Sequence, residues 1–336
     1  AWLAVGTRAN AVCAAGLADD LLGQRVSGFG LVGGVGCAEN VAVLDATESA
    51  YPPDNWWRLA TRGFLEAEQG QLSQARETCE HAWSICENGN CAHSIAHLHF
   101  EAGAIDEGRA FIDAWLTKYG SQSDWRHHLI WHLSFLDLES GHDSNRVFEW
   151  YGRELDPRIN DPTPLETFSD NASLLWRCHL AGEEIPIDVC EELSRYAAAN
   201  FPSAGFAFAD VHRAIAAALH PDDRKLKELV RQLRDVADNS GSRAAESLHQ
   251  YAIGFGAFAD ERYDDVVTML EPLLPDSVLL GGSNPQRRLV EDTYLEACMR
   301  CGRHEQASQV LLNRNRETSV FDRRLVDRIS EGSDAL

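Results

Sequence analysis

Apolar residues along this chain recur at i, i+3, i+4 and i+7 within segments of 12–16 residues, and short polar turns separate the segments. That period collects apolar side chains on one face of an α-helix. Strand-like alternation is scarce. The turns also repeat. AEQGQLSQARE around Gly70, FEAGAIDEGRA around Gly103, LESGHDSNRVF around Gly141, HLAGEEIPIDV around Gly182, AFADERYDDVV around Asp260 and MRCGRHEQASQ around Gly302 each close one helix and open the next. Glycine ends the first helix of such a pair because it accepts the left-handed conformation.

The pattern predicts helix pairs at 56–69 with 72–86, 90–103 with 106–118, 124–140 with 144–154, 168–182 with 187–199, 204–219 with 222–237, 243–260 with 262–273, and 286–302 with 304–315. Single helices are expected near 8–22, 37–50 and 319–331. Prolines at 52–53, 157–164, 202 and 271–275 fall between pairs, where a helix tolerates them. The clearest turn spacings are 33, 38 and 41 residues. Spacing in this range marks tetratricopeptide-like repeats, each a helix–turn–helix unit. One hairpin cannot bury its apolar face alone, so neighbours stack into a superhelix. The expected fold is therefore all-α: a TPR-like α-solenoid of about seven hairpins, one domain over 1–336, curled enough to enclose a pocket. Residues 1–50 would carry N-terminal helices and a glycine-rich loop. In that loop, SGFGLVGGVG contains G-x-G-x-x-G at Gly28, Gly30 and Gly33. A dinucleotide site needs a strand before this motif and a βαβ unit around it, and neither is present.

Charge narrows the partners. The net charge is −22 and the pI about 4.9. Such a surface repels nucleic acid and anionic membranes. No apolar run reaches the roughly 18 residues a membrane span needs, and no signal peptide is visible. The nine cysteines are scattered through apolar helical pattern, and Cys79, Cys86 and Cys91 cluster without C-x-x-C spacing among them. Buried free thiols in a reducing cytoplasm are the expectation.

The chemistry concentrates in two octapeptides. HSIAHLHF (93–100) and HLIWHLSF (128–135) both read H-x-I-x-H-L-x-F. Eight of the thirteen histidines lie between positions 81 and 142. At about 100° per residue, His97 and Glu101 fall within about 80° of His93, while Cys91, Ile95, Leu98 and Ala102 lie on the far side. The aliphatic stripe is expected to pack on the partner helix, leaving the histidines toward solvent or the superhelical groove. His128, His132 and Phe135 repeat the geometry, with Leu136 in place of Glu101. Side by side, the two helices would bring His93, His97, His128, His132 and Glu101 together. Such a set could hold zinc, iron or manganese, or act as acid–base groups near neutral pH. It is not the zinc-peptidase H-E-x-x-H, because Ser94 fills the glutamate position. Duplicated histidines that only pack and hydrogen-bond are the plainer alternative.

Further polar groups are candidates for ligand contact. SDNASLLWRCHLAG places Asp170 or Asn171 at an expected helix start, where capping alone explains an acid. Asp210 and His212 sit in an alanine-rich helix but not on one face. Ser283 follows a Gly-Gly turn into a helix, with Arg287 one turn in. Free backbone N–H groups and a guanidinium there would suit a carboxylate or phosphate. Arg287 and Glu291 could equally pair at i, i+4. Trp131 and Phe135 would wall the pocket.

HSIAHLHFEAGAIDEGRAFIDAWL, RHHLIWHLSFLDLESG, DNASLLWRCHLAG and GGSNPQRRLVEDTYLEA, in that order over roughly residues 50–330, resemble the tetratricopeptide repeat protein 38 family. The resemblance implies an all-α, TPR-like superhelix and carries no established general activity. The family's histidine motif matches His93, His97, His128 and His132. Asn284 and Pro285 fill the turn where the family pattern has His or Asn-like residues.

The expected function is binding of a small, anionic organic ligand in a histidine-rich pocket, with acid–base or metal-assisted chemistry and hydrolysis foremost. A non-catalytic protein-interaction scaffold is the alternative. A homodimer is compatible with either. Lysine is nearly absent (Lys118, Lys225 and Lys227), which disfavours the carboxylate clamp of peptide-binding repeats.

Overall fold

In the computed structural model of the chain, the structure describes residues 37–119, 123, 125–141, 144–160, 163–314 and 326–327. The helix expected near 8–22, the glycine-rich segment and most of the helix expected near 319–331 lie outside them. Among the described residues every regular element is helical. The α-helices are α1 (Cys37–Thr47), α2 (Trp56–Glu68), α3 (Leu72–Ile85), α4 (Gly89–Glu101), α5 (Ile105–Tyr119), α6 (Arg126–Glu139), α7 (Ser144–Trp150), α8 (Pro164–Leu180), α9 (Ile187–Asn200), α10 (Ala207–Leu219), α11 (Arg224–Ser240), α12 (Arg243–Ala259), α13 (Tyr263–Leu270), α14 (Asn284–Arg300) and α15 (His304–Leu312).

The helices follow the apolar period, with instructive differences. The helix expected over 168–182 begins at Pro164, because proline presets the backbone at the first helical position. Asp170 is therefore inside α8 and not its cap. α7 is short and continues as a π turn over Tyr151–Leu155. The helix expected over 262–273 stops at Leu270, and Glu271–Leu280 winds as a 3-10 segment around Pro275. The turns behave as the glycines suggest. At Gly103 (φ 67°) the Ala104 N–H returns to the His99 carbonyl at 2.9 Å, closing α4. In the turn without glycine, Glu261 takes φ 58° itself.

Each even-numbered helix from α2 to α14 touches the odd-numbered one that follows it, and also the next even-numbered one. Amphipathicity sets the depth. α11 buries only Leu229, Leu233 and Ala237, one stripe at i, i+4 and i+8. α6 buries twelve of its fourteen residues, so its polar side chains must find partners inside the protein. Full burial of one large apolar side chain is worth about 1.5–3 kcal/mol. α14 also returns across the chain. It packs on α8, where Trp176 Nε1 donates to Thr293 Oγ1 at 2.8 Å. At its first turn the Asn284 N–H donates to Glu68 Oε2 at 2.7 Å, and Asn284 Nδ2 to the Glu68 carbonyl at 3.0 Å. The last turn of α2 is thereby tied to a residue 216 positions later.

Among the described residues no helix is long and apolar enough to cross a membrane. Seven of the described cysteines are free thiols, five of them buried.

Candidate functional site

α4 and α6 pack side by side and bring the two octapeptides together. The ring centroids of His93 and His97 lie 4.5 Å apart, His93 and His128 5.0 Å, His93 and His132 5.3 Å, His97 and His132 4.8 Å, and His128 and His132 4.8 Å. His97 and His132 are 1% exposed and His128 9%, while His93 is half-buried. The i, i+4 spacing places each pair on one face, and the shared register of the two helices makes the faces meet. Phe64 and Trp125 flank the cluster. The Phe64 ring meets His97 edge-on at 4.6 Å, and Trp125 stacks on His93 at 4.5 Å.

Two carboxylates hold the outer nitrogens. His97 Nδ1 lies 3.2 Å from Glu68 Oε1, and His128 Nδ1 lies 2.7 Å from Asp170 Oδ2. Both carboxylate side chains are almost fully buried. An imidazole that donates from Nδ1 to a carboxylate presents its Nε2 lone pair, the tautomer a metal ligand needs. His97 Nε2 faces His93 Nε2 at 3.0 Å. His132 Nε2 is buried with no hydrogen-bond partner. One ligand nitrogen from each of His93, His128 and His132 lies within 4.8 Å of the others. Four nitrogens around zinc sit about 3.4 Å apart.

Burial sets the protonation. It pushes His93 and His132 well below the usual histidine value, and the neighbouring imidazoles add to the effect. Burial also lowers His97, against the opposing hydrogen bond and charge of Glu68. For His128, burial works downward but is outweighed by the charge and hydrogen bond of Asp170, with help from Glu166, and the value is raised.

The other expected site residues fall in different places. Glu68, not Glu101, supplies the carboxylate at His97. Arg287 comes near the cluster through Glu68, its Nη2 3.4 Å from Oε2, and its guanidinium also reaches the Asn284 side chain and the Gly282 carbonyl. The alternative Arg287–Glu291 pair does not form. Glu291 bonds Arg314 Nε, from beyond α15, at 2.6 Å. Ser283 donates from both its backbone and its hydroxyl to Gln286 Oε1, at 2.9 and 3.1 Å, which makes it a helix cap. Asp210 Oδ2 accepts from the Gly205 and Phe206 N–H groups at 2.7 and 2.9 Å, and Oδ1 holds Arg213. It orders the start of α10. His212 Nδ1 donates to the Phe208 carbonyl at 2.6 Å, and its Nε2 is buried without a partner. Burial pushes it down to about 4. Trp131 and Phe135 are fully buried behind the imidazoles. Trp131 stacks under His128 at 5.2 Å, and Phe135 lies beneath the guanidiniums of Arg177 and Arg288.

A cavity of about 840 Å³ lies elsewhere. It opens beside Leu219, Leu226 and Ile253 under Glu183, Asp260 and Arg300, and no member of the histidine cluster lines it. The imidazoles face one another directly, with His97 Nε2 in contact with His93 Nε2.

Sequence reasoning missed Glu68 and His127. Glu68 had one available signal. A carboxylate in the last turn of a helix opposes the helix dipole, so its presence there asks for a partner. No family model matches the chain.

Proposed function

We propose that this chain is a TPR-like helical-repeat protein of the tetratricopeptide repeat protein 38 kind. In this reading it holds a divalent transition-metal ion between α4 and α6 and uses it on a small anionic organic substrate, with hydrolysis as the reaction. The observation that carries the reading is the convergence of four imidazoles with Glu68 and Asp170 on their outer nitrogens. The serial contacts of the even-numbered helices and the return of α14 to Glu68 support the superhelix. An all-nitrogen donor set suits zinc or iron better than manganese, which favours oxygen. His93, His128 and His132 would be the ligands, with His97 as a fourth ligand or as the group that holds a water against the ion. A bound zinc acts as a Lewis acid and lowers the pKa of its water toward neutrality. Glu68 and Asp170 fix the ligand rings. The half-buried His93 marks the side from which an ion or substrate arrives, and Arg287 stands behind His97 on Glu68.

Elemental analysis of tag-free protein purified without chelator tests the metal. Near-stoichiometric zinc or iron, lost in His93→Ala/His128→Ala, is expected. The loaded protein is then expected to turn over members of an ester, phosphoester and amide panel. Wild type that neither carries nor takes up either ion would remove this reading.

A second reading, a scaffold in which the imidazoles only join α4 to α6, is favoured by the sealing of His97 and His132 from solvent. A metal-loaded protein inert on the whole panel, and stabilised by the ion, would move the balance to it.

A further inference from the structure

Next to the four imidazoles lies a second convergence of donors that they do not use. His127, in the first turn of α6, meets Glu166 and Asp170, which stand i, i+4 on one face of α8. His127 Nδ1 is 3.9 Å from Glu166 Oε1 and 3.8 Å from Asp170 Oδ2. One ligand atom from each of the three lies within 4.8 Å of the others. His127 and Asp170 are each 1% exposed, and the Glu166 side chain is 23% exposed.

These separations are too long for hydrogen bonds between the pairs and short for like acceptors facing each other. His127 Nε2 points at the Leu155 carbonyl at 3.5 Å. Donation there puts the Nε2 proton on the carbonyl side and turns the Nδ1 lone pair toward the carboxylates. A second observation is independent of this spacing. Asp170 Oδ1 is buried with no hydrogen-bond partner, while Oδ2 is engaged by His128. A buried carboxylate oxygen left bare is costly. Glu166 is held from its other side by Thr163 Oγ1, which donates to Oε2 at 3.5 Å, so Oε1 is the oxygen turned inward.

We propose that His127, Glu166 and Asp170 form a second divalent-cation site, separate from the four-imidazole cluster. Two carboxylates and one imidazole are a harder donor set than four imidazoles. They suit a manganese-class ion that keeps several waters. The partial exposure of Glu166 gives the ion a route in. Asp170 joins the two sites: its Oδ2 is the oxygen nearest both His127 Nδ1 and His128 Nδ1. The site does not depend on the four imidazoles binding metal.

The test uses metal-free full-length chain titrated with manganese alone, followed by its electron spin resonance, and separately with zinc alone. Manganese binding at about one equivalent is expected, weakened at least tenfold in Glu166→Gln, with zinc uptake by that variant unchanged. His93→Ala/His132→Ala should keep manganese. Pulsed resonance on the wild type is expected to show coupling to a single imidazole nitrogen, and this readout needs no variant to fold. No manganese uptake, equal binding in Glu166→Gln, or coupling to several imidazole nitrogens would each overturn the proposal. In those cases the triad holds a proton, or the ion sits at the four imidazoles.

Discussion

Replacing Glu68 by glutamine changes one charge and no volume, at a residue where the last turn of α2 meets the first turn of α14. Its Oε1 holds His97 Nδ1 at 3.2 Å, and its Oε2 accepts from the Asn284 N–H at 2.7 Å and lies 3.4 Å from Arg287 Nη2. Glutamine keeps one carbonyl oxygen and gains an NH2. If the amide nitrogen faces Asn284, two donors oppose each other and one is left unmet in a buried place. If it faces His97, the ring must present a lone pair from Nδ1 and so move its proton to Nε2. A buried unmet donor costs about 1–3 kcal/mol. Arg287 is partly solvated, so the loss of its partner adds little. The same change removes the carboxylate behind a metal-facing ring, which weakens metal binding about 10–100-fold, or roughly 1.4–2.7 kcal/mol. Urea unfolding of Glu68→Gln without metal should show a lower midpoint at unchanged slope. Competition with a chromophoric chelator should show the weaker zinc affinity. A variant with wild-type midpoint and wild-type zinc affinity would refute the reasoning on both counts.

Asp292 takes Arg288 Nε at 3.0 Å and Arg314 Nη2 at 3.1 Å, with Arg177 Nε 3.6 Å away, all in the packing of α8 on α14. Asp292→Ala removes one shared carboxylate, while Arg288 keeps Glu139 and Arg314 keeps Glu291, and should cost about 1–3 kcal/mol in urea unfolding. Glu261 is exposed and holds φ 58°, so Glu261→Gly should stabilise the protein by roughly 0.5–1 kcal/mol, read as a higher unfolding midpoint. Burial pushes the Cys79, Cys178 and Cys298 thiols up to about 12. Near pH 8 only about one in 10⁴ of each is thiolate. Among the seven cysteines whose side chains are described, peptide mapping after iodoacetamide should find half-buried Cys86 and Cys301 labelled first, and these three only after unfolding.

Helix boundaries and pairing were legible because apolar period and turn glycines act locally. Ring convergence was also legible, since i, i+4 spacing in two neighbouring helices leaves little freedom. The carboxylates were harder. Asp170 looked like a cap because Pro164 read as a break, whereas it starts the helix. Glu68 meets its partners only when α14 returns 216 residues later, and no local pattern encodes that. His127 hid beside His128, about 100° around the helix on a different face. Arg287 and Glu291 had the spacing of a pair, but spacing cannot say which of several arginines arrives.

X-ray absorption at the zinc edge of the zinc-loaded wild-type chain tests the central claim most directly. The expected spectrum has three or four imidazole nitrogens at about 2.0 Å and no sulfur. Sulfur scattering from the cysteines, an all-oxygen shell, or failure to take up about one equivalent of zinc would contradict it.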